Sequence, residues 1–144
     1  MGDRAQVVIE QAYSLEKPGR VYLYAHWSGT GVLSSALHGL NSGRADDAPY
    51  LARIVFEHMI REDKDEETGF GISSTPLDWE YPNIVISVQR EGTFVYFETG
   101  NGKMPLTAPM AVGDFRALAS GYEIEKLSGY ELLIDRMKKA EAEK

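Results

Sequence analysis

The residues best equipped for chemistry sit together at one corner of the chain, His26, Trp27, Ser28, Gly29 and Thr30, directly after the alternating run VYLYA at 21–25. A histidine serves as a base or ligand contact, an indole stacks on a base or sugar, and two hydroxyls offer hydrogen bonds. The small residues stand where a helix begins, and the unpaired N–H groups of a helix N-terminus attract anions. Arg44 and Arg53, in the helical stretch beyond, carry guanidinium groups suited to bidentate contact with phosphate. Together these residues define a candidate site for a nucleotide or another phosphate-bearing ligand. The same corner also reads without a ligand: Trp27 fills one end of the core, the hydroxyls cap the helix, and Arg53 pairs with Glu57 four residues on.

A second candidate is the loop 76–82, which holds Trp79 and Tyr81 between two prolines. Aromatic residues on a stiff loop are anchors of the kind protein interfaces use, and they also fold back as a lid over a sheet. The motifs that would define an enzyme are missing. Ser73, Ser74 and Thr75 lack the GxSxG setting of a nucleophile elbow, and no Walker motif or dinucleotide fingerprint accompanies the SGTG turn. His26, His38 and His58 show no metal-ligand spacing, and the chain has no cysteine, which removes thiolate chemistry and disulfides. The acidic run EDKDEE at 62–67 fails as an EF-hand loop, because Gly69 comes one place late and Ser74 stands where the bidentate acid belongs. It reads as a solvated charged loop. No catalytic residue, metal or cofactor is therefore assigned, and the protein is expected not to be an enzyme.

These residues need a scaffold, and its parts follow from local pattern. Residues 4–11 (RAQVVIEQ) form a first strand, Lys17-Pro18-Gly19 a turn, and the run from Val21 a second strand, giving an antiparallel hairpin. Val32, Leu33, Ala36, Leu37 and Leu40 fall at helical spacing and Asn41-Ser42-Gly43 ends that helix. Asp46 or Asp47 caps a second helix with Pro49 in its first turn, and Leu51, Ile54, Val55 and His58 share a face beside Met59. Residues 68–75 (TGFGISST) make a strand whose two glycines point to a bulge or a close backbone approach. Residues 83–89 and 93–98 form a hairpin across Glu91-Gly92. Pro105 and Pro109 make the next segment irregular or an edge strand. Asp114 caps a short helix ending at Ala119, and Ser128 with Glu131 opens a final helix with Tyr130, Leu133, Ile134 and Met137 as its stripe.

At 144 residues with a formal charge of −7, the chain reads as one α+β domain over 1–144. The expected sheet is antiparallel or mixed, with about five strands and helices packed on one side, and a polar tail from about 139 to 144 that frays. The negative charge weighs against nucleic acid, which requires a basic surface. No apolar run approaches the ~18–20 residues that cross a bilayer.

The phrases YLYAHWSG from Tyr22, YLARIVF from Tyr50 and TGFGIS from Thr68, in this order and spacing, resemble a group of small proteins encoded by bacteriophages and prophages, mainly of actinobacteria. The resemblance covers roughly residues 4–90 and is one of phrasing without a catalytic signature. It implies a protein made inside a bacterial cell, and the lack of a signal-peptide pattern makes the cytoplasm its expected location. Two functions are expected from these readings. The first is a non-enzymatic binding protein that engages a host protein or assembles with itself through Trp79, Tyr81 or the last helix. The alternative is a module that binds or sequesters a nucleotide-like ligand at the strand–SGTG–helix corner.

Overall fold

The computed structural model describes residues 4–12, 18–26, 31–61, 69–77, 81–120 and 128–143. The fold is α+β: β1 (Ala5–Gln11), β2 (Gly19–Ala25), α1 (Val32–Leu40), α2 (Ala48–Met59), β3 (Phe70–Ser73), β4 (Asn83–Gln89), β5 (Gly92–Glu98), β6 (Met110–Ala111), α3 (Val112–Ala119) and α4 (Ser128–Ala142). The described strands form one sheet in the order β3-β2-β1-β4-β5-β6. β1 and β4 run parallel at its centre and every other pairing is antiparallel, so the sheet is mixed. The sixth strand, beyond the five expected, is a two-residue edge beside Pro109. It is short because a proline without an N–H cannot extend the ladder and the chain turns at once into α3.

Period-2 alternation splits the sheet into two faces of different chemistry. Val7, Ile9, Leu23, Ile84, Ile86, Val95 and Phe97 point to one side, where Leu33, Leu51, Phe115 and Leu133 from the four helices close the main core. On the other side Val8, Tyr22 and Val85 form a small apolar cluster with Tyr96, set among polar residues. α1 and α2 meet closely because Gly39 has no side chain: a Cβ there would lie 2.4 Å from Cγ2 of the buried Val55. α2 is capped by Asp47, whose carboxylate accepts the Tyr50 N–H at 3.4 Å, with Pro49 in the first turn.

One local expectation is corrected. Asp114 does not cap α3. The helix starts at Val112 with Ala111 in the cap position and no side-chain bond, and Asp114 instead lies in the first turn, where a carboxylate meets the positive end of the helix dipole. At the other end α4 reaches into the polar tail, with the Glu143 N–H bonded to the Lys139 carbonyl at 3.1 Å. Among the described residues no helix is long and apolar enough to cross a membrane.

Candidate functional site

His26 closes β2, half-buried, and its N–H donates to the Gly69 carbonyl at 2.7 Å, tying the end of β2 to the start of β3. Trp27, Ser28, Gly29, Thr30 and Trp79 lie outside the described residues. Arg44 and Arg53 are brought together over the ring of the exposed Tyr50, at 4.6 and 4.4 Å from its centre. Each also has a carboxylate neighbour, Glu57 for Arg53 and Asp47 at 4.0 Å for Arg44. Arg44 stands beyond the C-terminal end of α1, whereas His26 precedes its N-terminal end, so the nine residues of that helix lie between them. Tyr81 folds inward and stacks on Tyr130 at 4.8 Å, with Phe97 edge-on to Tyr130 at 6.4 Å. His38 and His58 stack at 4.2 Å. The His58 Nδ1 lies 2.9 Å from Ser35 Oγ and 3.2 Å from Arg61 Nη1. A guanidinium only donates, so Nδ1 is the acceptor and the ring proton sits on Nε2. No group of three potential metal ligands occurs among the described residues.

The main cluster of chemically capable groups lies elsewhere, on the helix-free face, and sequence reasoning missed it. Strand register builds it. The β1–β2 pairing sets Arg20 beside Glu10 and Tyr22 beside Val8. The parallel β1–β4 pairing adds Ser87 and Val85 to the same rows, and β4–β5 adds Tyr96 beside Val85 and Glu98 beside Asn83. Arg20 reaches across this face and spends all five N–H donors on it. Nε bonds Glu10 at 2.8 Å; Nη1 bonds the Tyr22 hydroxyl at 3.2 Å and Glu98 at 3.1 Å; Nη2 bonds the Tyr96 hydroxyl at 2.8 Å and Glu98 at 2.9 Å. The carboxylates have further donors: Ser87 Oγ to Glu10 at 2.6 Å and Asn83 Nδ2 to Glu98 at 2.9 Å.

Burial makes these bonds matter. Glu98 is 3% and Glu10 8% exposed, while Gln6, Asn83 and Ser87 are fully buried. Burial works against the charge on Arg20, but its bonds to Glu98, Tyr22 and Glu10 outweigh it and hold the guanidinium charged far above its usual range. The Tyr96 hydroxyl is pushed above its ordinary 10.0, first by burial and then by the negative charge of Glu10, against the pull of Arg20. At the rim, Gln6 Nε2 donates toward Leu77 O, Asn83 Oδ1 and Gly100 O at 2.8 to 3.1 Å, and its buried Oε1 has no partner among the described residues. The sequence signal for the cluster is slight: polar Gln6 and Glu10 alternating with valines in a strand, repeated by Asn83 and Ser87.

Chemically the cluster is a joint. It fixes β2, β1, β4 and β5 in one register with ion pairs whose donors are fully committed. On the opposite, helix-bearing side a groove of about 300 Å³ opens between the ends of β1 and β2 and the first turns of α2, lined mainly by Ile9, Val21, Ala48, Pro49 and Ala52. Comparison with protein-family models, curated proteins and solved structures finds no match to the chain.

Proposed function

We propose that this protein works by binding another protein chain, either a host protein of the bacterial cell in which it is made or a further copy of itself. The observation that supports this reading is the closure of the Arg20 cluster. Its guanidinium, both glutamates, Asn83 and Ser87 are engaged with one another, which turns the cluster inward, while Ile72, Met104 and Leu132 stand exposed at the surface. A folded chain with such a surface acts through shape, hydrogen-bond edges and exposed apolar groups.

The test is native mass measurement of protein purified gently from a bacterial host, paired with melting curves against mono-, di- and cyclic nucleotides. A stoichiometric protein partner or a defined oligomer, with no nucleotide-dependent rise in Tm, is the expected result. A bare monomer with a co-purified small mass, and a Tm that climbs with nucleotide concentration, would overturn it. That outcome would instead support a phosphate-bearing ligand at the corner of His26, Trp27, Ser28, Gly29 and Thr30.

A further inference from the structure

The two edges of the sheet are built differently. The β6 edge is blunted, only two residues long and adjoining Pro109. The β3 edge has four residues, Phe70–Ser73, and β3 pairs with β2 alone among the described strands. Natural sheets protect such edges with lysine, proline, bulges or very short strands. β3 carries neither charge nor proline, and residues 69–77 (GFGISSTPL) contain no ionisable side chain. Ile72, at its middle, is 59% exposed.

The register says which groups face outward. The His26 N–H to Gly69 carbonyl bond makes those two residues a hydrogen-bonded pair across β2 and β3. Alternation along an antiparallel ladder then turns the backbone groups of Gly71 and Ser73 toward β2, and those of Phe70 and Ile72 away from it. Phe70 and Ile72 also share the helix-bearing face, Phe70 packing against the main core and Ile72 lying opposite Leu23.

Resting on the binding-protein reading, we infer that the β3 edge is the interaction surface and that its occupant is the β3 strand of a second copy, paired antiparallel about a two-fold axis at Gly71. The register is self-complementary. Phe70 meets the partner's Ile72 and Ile72 meets the partner's Phe70. The outward N–H and C=O groups of both residues bond across the axis, and two aromatic–β-branched pairs form on one face. No like charges fall opposite one another in this register, because β3 itself carries no ionisable side chain. The contact is short, so the dimer is a weak one.

Sedimentation velocity on the full chain, from low to high micromolar concentration, tests this with Ile72→Lys, Ile72→Pro and Ile72→Val. Proline removes an N–H that points away from β2, and lysine replaces an exposed side chain, so both are expected to keep the wild-type melting temperature. The expected result is a reversible monomer–dimer equilibrium, weakened about tenfold or more by Ile72→Lys and by Ile72→Pro, and changed less than about threefold by Ile72→Val. A wild-type chain that stays monomeric throughout overturns the inference, as does a dimer indifferent to both disruptive changes. A monomer that binds a different protein also overturns it, while leaving the binding-protein reading standing.

Discussion

Removing the Arg20 guanidinium would leave Glu10 and Glu98 buried without their shared counter-charge. Breaking a buried ion pair from one side costs about 3–5 kcal/mol, so Arg20→Met is expected to lose that much in urea unfolding at neutral pH. Arg20→Lys should recover less than half of the loss, because one ammonium with three donors cannot serve two carboxylates and two phenols at once. Tyr96 gives the cluster a pH signature. Its hydroxyl ionises later in the folded chain than its ordinary 10.0. A group with a raised folded pKa stabilises fully below the unfolded value and loses that contribution as pH rises through the folded one. The denaturation midpoint should therefore fall above pH 10, and Tyr96→Phe should flatten the fall. The cluster was hidden in the sequence for a physical reason. Arg20 reaches Tyr96 and Glu98 over separations of 76 and 78 residues, and only strand order, which no local pattern encodes, brings them together.

At the scale of elements, local physics goes far, the Asp114 cap of α3 excepted. The β1–β2 and β4–β5 hairpins, the end of α1 at Leu40, the Asp47 cap and the stripe of α4 all follow from alternation and capping within a few residues, although the turn of the second hairpin falls one residue before Glu91-Gly92, with Gly92 already paired to Gln89. The third strand, where its glycines point to a bulge or a close backbone approach, has a side chain there instead: the Tyr24 phenol lies over Gly71 in the space a Cβ would need. What local pattern did not supply was the parallel β1–β4 pairing and the sixth strand, since one depends on a long crossover and the other on two residues. The α1–α2 contact yields a prediction of its own. Alanine is normally better than glycine inside a helix by about 0.8–1.0 kcal/mol. At Gly39, however, the added Cβ would stand 2.4 Å from Val55 Cγ2, inside a contact that is fully buried. Overpacking of that kind costs about 1–3 kcal/mol, so Gly39→Ala is expected to be destabilising on balance. Pairing it with Val55→Ala should reduce the penalty that Gly39→Ala adds, and a double-mutant cycle by chemical denaturation measures that coupling.

For the whole molecule, the balance lies between a net charge of −7 and a β3 edge whose own residues carry no charge. Repulsion between two such copies acts over the Debye length, about 10 Å at 0.1 M ionic strength and about 3 Å at 1 M. Backbone hydrogen bonds and apolar pairs across β3 are not themselves screened. Added sodium chloride should therefore strengthen self-association, by removing a repulsion while leaving the attraction intact. An interface built on ion pairs, such as one using Arg44 and Arg53 against the acidic surface of a neighbour, would respond in the opposite sense, because salt would weaken the attraction itself. The monomer–dimer constant measured in low and high salt thus separates the two arrangements without any substitution. A rise in affinity with salt, abolished in Ile72→Lys, is the expected outcome; a fall would place the contact at the charged helical face and away from the sheet edge.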